Sequence, residues 1–254
     1  MLLSVLVATL VASGFYWLRW LTASGAVAAA VVGAITLHAG RGWVALLMYF
    51  FVSSNLLSRW RASDRAARSG AVVDKGDRRD AAQVVANGGV FAVAAVGAML
   101  GDATLWRAAG AGAIAAAAAD TWSTEVGTVL GGTPRHIIKG RRVPTGTSGG
   151  VTLAGSIAGL CGAILAAIVV LAMNWGAPAI AVVAGGLSGA VTDSVLGGTI
   201  QERRWCDACA KATERRLHAC GTITRWNGGV RGMTNDMVNL ACTLVGAAVA
   251  GWLA

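Results

Sequence analysis

Apolar stretches of roughly twenty residues recur along this chain, and short basic connections separate them. A helix that crosses the hydrocarbon core of a bilayer needs about 20 mostly apolar residues. Candidate spans fall at 2–18, 21–40, 42–57, 84–101, 104–126, 151–173, 177–200 and 237–254. With 254 residues the chain has room for these and their loops. Charged residues make up 13%, against about 25% in a typical soluble domain. That excludes an ordinary soluble globule and a disordered chain. The expected fold is all-α: a polytopic transmembrane helical bundle of about eight spans, with seven as the smaller alternative, in one integral membrane domain over 1–254. Met1 opens directly into an apolar run, read as the first span and not as a cleavable leader.

The net charge of +9 would suggest nucleic acid in a soluble chain. Here the basic residues concentrate between spans. Odd-to-even connections carry 19 of the 21 Lys and Arg, and the other side carries only Arg41 and Arg107. The positive-inside rule makes the three long loops cytoplasmic and puts both termini on the opposite side. A bacterial inner membrane is the expected location, and no nucleic-acid partner is expected.

Ionisable residues at membrane depth are costly and point to function. Four stretches bring such groups to the same predicted face. In 76–89, Asp80, Gln83 and Asn87 share one helix face, with Arg79 beside it. In 119–127, Asp120 and Glu125 end an alanine-rich run, among three hydroxyl residues that suit magnesium. The following loop combines Arg135, Lys139, Arg141 and Arg142 with a turn containing Gly146, Thr147, Gly149 and Gly150. Backbone N–H groups at the start of the next helix, beside basic side chains, make a phosphate site. In 188–201, Asp193 lies inside an apolar span and Gln201 follows it. In 228–240, Asn235 and Asn239 share a face, with Asp236 beside them; they suit a metal-bound phosphate or a nucleotide, or else cap the helix. Four polar stretches on one side predict one convergent site.

The loop 201–236 carries Cys206, Cys209, His218 and Cys220, spaced C-x₂-C-x₈-H-x-C. Three thiolates and an imidazole fit a structural zinc ion with no open position. Cys161 and Cys242 read as packing residues, and His38 and His136 as isolated histidines.

The stretches 75–89, 119–127, 146–155, 192–201 and 232–239, with the cysteine loop, resemble the membrane proteins grouped as domain of unknown function 92, a family with a plant phytyl-phosphate kinase. The layout from Asp120 to Gly150 is more distantly similar to phosphatidate cytidylyltransferases and dolichol kinases. The resemblance implies a prenyl-phosphate kinase that transfers a phosphoryl group from CTP or another nucleoside triphosphate to phytyl, geranylgeranyl or farnesyl phosphate. Asp120, Glu125 and Asp193 would hold Mg2+, with Asp236 a further ligand. Arg135, Lys139, Arg141 and Arg142 would offset phosphate charge. Alternatives are a cytidylyltransferase acting on a lipid phosphate and, in another class, a transporter or lipid-binding scaffold.

Overall fold

A computed structural model describes residues 1–69 and 78–254. Lys75, one of the loop cations, and the start of the stretch 75–89 lie outside the described residues. The helices are α1 (Leu2–Trp17), α2 (Ala23–Ala39), α3 (Arg41–Arg59), α4 (Ala62–Ser69), α5 (Ala81–Leu100), α6 (Ala103–Leu130), α7 (Leu153–Ala172), α8 (Ala179–Thr199) and α9 (Asn235–Trp252). All but α4 coincide with the predicted apolar segments to within a few residues. Three of them, α5, α7 and α8, are long and apolar enough to cross a membrane, and α1 and α2 are shorter apolar helices. The remaining three carry polar residues: Arg41, Asn55 and Arg59 in α3, Arg107, Asp120 and Glu125 in α6, and Asn235, Asp236 and Asn239 in α9.

The expected all-α class needs a correction in the loops. The connection after α6 forms a two-stranded antiparallel pair, β1 (Arg135–His136) with β2 (Gly150–Val151). The connection after α8 is not an open loop. It folds into a three-stranded antiparallel sheet of β3 (Arg203–Cys206), β4 (Lys211–Thr213) and β5 (Arg225–Gly228), in the order β4-β3-β5. These strands are two to four residues long, too short to leave an alternating pattern in the sequence.

At the centre stands α6, packed against α3, α5, α7, α8 and α9. Every residue from 110 to 119 is buried, and Ala115 to Ala119 have no exposed surface at all. A helix that is apolar on every side belongs inside a bundle. Its side chains are small because its neighbours come close. A Cβ on Gly112 would lie 2.3 Å from the Gly246 carbonyl oxygen of α9. One on Gly189 of α8 would lie 2.4 Å from the Ala116 Cβ. Small residues at such crossings let helix backbones approach. At one side of this core, the Trp43 ring centroid lies 4.9 Å from that of Phe91 and 4.6 Å from that of Trp175.

The close crossing of α6 and α9 has a measurable consequence. Gly112→Ala should lower the thermal midpoint of the detergent-solubilised protein, at a cost of about 1–3 kcal/mol, the range for overpacking. Gly14→Ala in α1 is the control, because nothing lies within 4 Å of its added methyl; it should be neutral or mildly stabilising. Equal midpoints for the two variants would refute the tight crossing.

Candidate functional site

The polar groups expected at one face do converge. They come from the start of α5, the end of α6, the start of α7, the end of α8 and the start of α9, so the alternating helices bring them to one end of the bundle. There they line a cavity of about 1080 Å³. Of the residues singled out in the sequence, Arg79, Gln83, Asn87, Asp120, Glu125, Gly146, Thr147, Gly149, Gly150, Asp193, Gln201, Asn235, Asp236 and Asn239 all line it.

Asp120 and Asp193 come from different helices, yet their carboxyls are neighbours at the cavity wall. The spacing of α6 and α8 explains the meeting. Ala116 and Gly189 touch across the crossing, and each carboxylate lies four residues further on, one turn along the same face. Asp193 Oδ2 is buried and has no hydrogen-bond partner among the described residues. Two adjacent carboxyls cannot both carry unopposed charge in a low dielectric; a proton or a cation must intervene.

Glu125 has different partners. Ser58 Oγ donates to its Oε1 at 2.6 Å, and Arg65 Nη1 donates to Oε2 at 2.5 Å. This carboxylate is therefore engaged by α3 and α4, and α4 was not legible in the sequence. Arg79 stacks over Phe50 at 5.2 Å, also facing the cavity.

Asp80 is corrected to a structural role. It is the N-cap of α5: its Oδ1 accepts from the Gln83 N–H at 2.9 Å, and Gln83 Oε1 accepts from the Asp80 N–H at 3.1 Å. Such a capping box satisfies two otherwise orphaned donors, and Asp80 does not line the cavity. Asn87 lines it one turn deeper and donates to the Gln83 carbonyl at 2.9 Å.

The basic run after α6 is also placed differently. Arg135, Lys139, Arg141 and Arg142 are exposed and absent from the cavity wall. The cause is strand alternation. His136 turns inward, its Nε2 3.1 Å from the Gly198 carbonyl, so Arg135 turns outward. Arg135 donates instead to the Gly140 carbonyl at 3.0 Å. The glycine turn does reach the cavity. Gly149 has φ +76°, and a Cβ there would lie 2.4 Å from the Gly198 Cα. Only glycine fits that contact between the turn and the end of α8.

At the start of α9 the N-cap is Thr234, without a side-chain cap bond. Asn235 and Asp236 are thus not the capping residues, and they line the cavity with Asn239. Sequence reasoning missed Arg65, Glu214, Arg215 and Arg216, which line it too. The three arginines read as topology signals, and Glu214 lay among the residues between the metal ligands.

The Cys/His group assembles as spaced. Cys206, Cys209, His218 and Cys220 offer ligand atoms that all lie within 4.8 Å of one another. The turn from β3 to β4 presents the first two. A turn closed by Gly221 N–H to the His218 carbonyl at 2.9 Å presents the others. Cys206 Sγ is 3.6 Å from Cys220 Sγ, and His218 Nδ1 is 3.1 Å from that same sulfur. Hydrogen bonding with Thr222 and His218 holds the Cys220 thiol down to about 5, while hydrogen bonding with Cys220 pushes Cys209 up to about 11. Nearby, the Gly232 N–H, and then Arg204, keep Glu202 below its usual carboxylate range.

No solved structure matches this chain. Curated relatives do match over most of its length. Protein PGR of Arabidopsis thaliana is 30% identical over 276 residues, covering 96% of this chain and 93% of its own. An uncharacterized membrane protein of Methanocaldococcus jannaschii is 30% identical over 188 residues, covering 73% of this chain and 76% of its own. The family described as Integral membrane protein DUF92 matches residues 6–247, and the chain belongs to that family.

Proposed function

We propose that this protein is a Mg2+-dependent membrane phosphotransferase that moves a phosphoryl group from a nucleoside triphosphate, CTP first among them, to a prenyl monophosphate. The observation that carries the reading is the Asp120–Asp193 pair, with the buried, unpartnered Asp193 Oδ2. Its donor set is hard oxygen, extended by Asp236 at the cavity wall, and this suits Mg2+ better than a soft metal. When bound, the ion would neutralise phosphate charge and orient the donor.

The chain's own groups account for the rest. The Gly146–Gly150 turn presents backbone to the cavity, and Asn235, Asn239 and Gln201 offer amides for sugar, base or phosphate. Arg65 lies at the wall in an ion pair with Glu125. Between α7 and α8 the cavity wall includes Ser156, Leu187 and Val191. Ser156 and Val191 are also exposed on the bundle's flank. A prenyl tail leaving by that slot would stay in lipid while its phosphate reaches the carboxylates. An oxygen of the acceptor phosphate attacks the donor's γ-phosphorus, the bond to the β–γ bridging oxygen breaks, and the nucleoside diphosphate leaves. The acceptor oxygen is already anionic, so positioning and charge stabilisation suffice. The Cys/His group holds a structural zinc in this reading, because four protein ligands leave no open position.

Eight crossings by α1, α2, α3, α5, α6, α7, α8 and α9 belong to the same reading. The site end faces the cytoplasm and both termini face the other side of a bacterial inner membrane. The uneven distribution of Lys and Arg supports that orientation. Alkaline phosphatase fused after Ala254 should be active, while a fluorescent protein fused there should stay dark; the reverse pattern would invert the orientation.

Purified protein incubated with prenyl phosphates, each nucleoside triphosphate and Mg2+ should yield a prenyl diphosphate and a nucleoside diphosphate. Asp120→Asn and Asp193→Asn should each lose about 10²-fold or more in turnover while keeping the wild-type elution profile. Full activity in both variants would sink the carboxylate assignment. Pyrophosphate release with a CMP-linked lipid would replace the kinase by a cytidylyltransferase. Nucleotide-independent substrate movement would replace it by a transporter.

A further inference from the structure

Four residues, Glu214 to Leu217, join β4 to the metal-ligand pair His218 and Cys220, and all four line the cavity. Basic side chains are scarce elsewhere on that wall. The arginines after α6 face outward, Arg65 is bound to Glu125, and Arg79, the other arginine at the wall, is stacked over Phe50. We propose that Arg215 and Arg216 form the arm that binds the phosphates of the donor nucleotide, and that the metal at Cys206, Cys209, His218 and Cys220 holds this arm in place. The inference rests on the nucleotide reading above and deepens it.

The arm is anchored at its backbone. Thr224 Oγ1 donates to the Arg215 carbonyl at 2.5 Å, and the Thr224 N–H donates to the Arg216 carbonyl at 2.9 Å. The Arg215 N–H donates to Thr213 Oγ1 at 3.2 Å. Arg204 clasps Thr224 in turn, through Nε to Oγ1 at 2.8 Å and Nη2 to the carbonyl at 2.7 Å. The arm also reaches the glycine turn. Glu214 accepts from Ser148 Oγ, and from Gln201 Nε2 at 2.8 Å. Arm and turn are thereby tied into one wall, and Arg215, Arg216 and the glycine turn line the same cavity. Arginine is suited to this task, since its planar fork matches phosphate oxygens.

The metal enters because the sheet that carries the arm has no apolar core. Between 201 and 234 the buried residues are Gln201, Cys206, Thr213, His218 and Thr224, while Leu217, Ile223 and Val230 are exposed. Three strands of at most four residues, closed around polar groups, need a cross-link to persist. Bonds of about 2.3 Å to a tetrahedral zinc put sulfurs about 3.8 Å apart, close to the 3.6 Å between Cys206 and Cys220. The two chain segments bridged are the β3–β4 turn and the end of the arm itself.

The test uses the full chain in detergent micelles, with CTP and inorganic pyrophosphate as probes, excess Mg2+ and no acceptor. Elemental analysis should find about one zinc per chain. The Arg215→Ala/Arg216→Ala variant should keep that zinc and bind CTP at least tenfold more weakly. A zinc-selective chelator should weaken CTP binding to a similar degree and speed amide hydrogen exchange over 213–217, leaving α6 and α8 protected; added zinc should reverse both. Wild-type affinity in the arginine variant overturns the arm. Unchanged binding and exchange after zinc loss overturn the coupling, and absence of zinc from the wild type overturns the metal. A wild type that binds neither probe removes the nucleotide reading and the arm together. One that binds CTP equally with and without the arginines removes the arm alone.

Discussion

The contact on which everything else depends is the glycine–alanine seam between α6, α8 and α9. Gly112 and Ala116 of α6 meet Gly246 of α9, and Ala116 also meets Gly189 of α8. In a bilayer the surrounding lipid is as apolar as a leucine, so burial alone does not draw helices together. Close packing of small side chains does. The seam follows rows of residues four apart, and those rows continue past the apolar zone. One turn beyond Ala116 is Asp120, and one turn beyond Gly189 is Asp193. On α9 the Cys242 carbonyl is 2.7 Å from where a Gly189 Cβ would be, and the row of residues three and four before Cys242 contains Val238 and Asn239. The geometry that packs the helices therefore also aims the polar groups at one point.

A seam this tight also limits the site. Ala119 is fully buried, and Asp120 follows directly on the same rigid helix. The backbone that carries its carboxyl is held by helices on several sides. The pair is thus preorganised, and a bound cation would meet its ligands without first gathering them. The groups proposed to recognise a larger ligand are mounted differently. The glycine turn, Glu214, Arg215 and Arg216 lie on short strands and turns outside the helices, joined to one another by side-chain hydrogen bonds.

The helices were legible because long apolar runs have few other solutions, and their ends were legible because charge and glycine interrupt them. The four polar stretches were legible for the same reason: a carboxylate such as Asp193 inside an apolar run has no cheap explanation. What failed was local. Asp80 fits the amphipathic face that Asn87 uses, but it sits where the backbone lacks acceptors for its first N–H groups, and capping takes it. Arg135 and its basic neighbours had the right charge beside the right turn, yet a two-residue strand sent His136 inward and Arg135 outward. Glu125 resembled a metal ligand until α4, a helix with no apolar signature, supplied Arg65. Arg215 and Arg216 were hidden by a feature that pointed elsewhere, since a Cys/His spacing draws attention to its ligands and not to the residues held between them.

The two ligand groups differ in chemistry as well as in place. Asp120, Asp193 and Asp236 offer only hard oxygens, while the sheet offers three thiols and an imidazole. Thiolates suit zinc and bind magnesium poorly, while carboxylates suit magnesium, so the thiol group excludes the ion that suits the carboxylates. Their supports match this division. The carboxylates stand on helices that need no metal to hold their shape. The thiols stand on a sheet whose buried residues are polar, where a metal would supply the cohesion that side chains do not. In the proposed function a cation would come and go with its nucleotide, and helices that keep their shape without it would allow this. An ion that replaces a hydrophobic core must stay, and four protein ligands favour that.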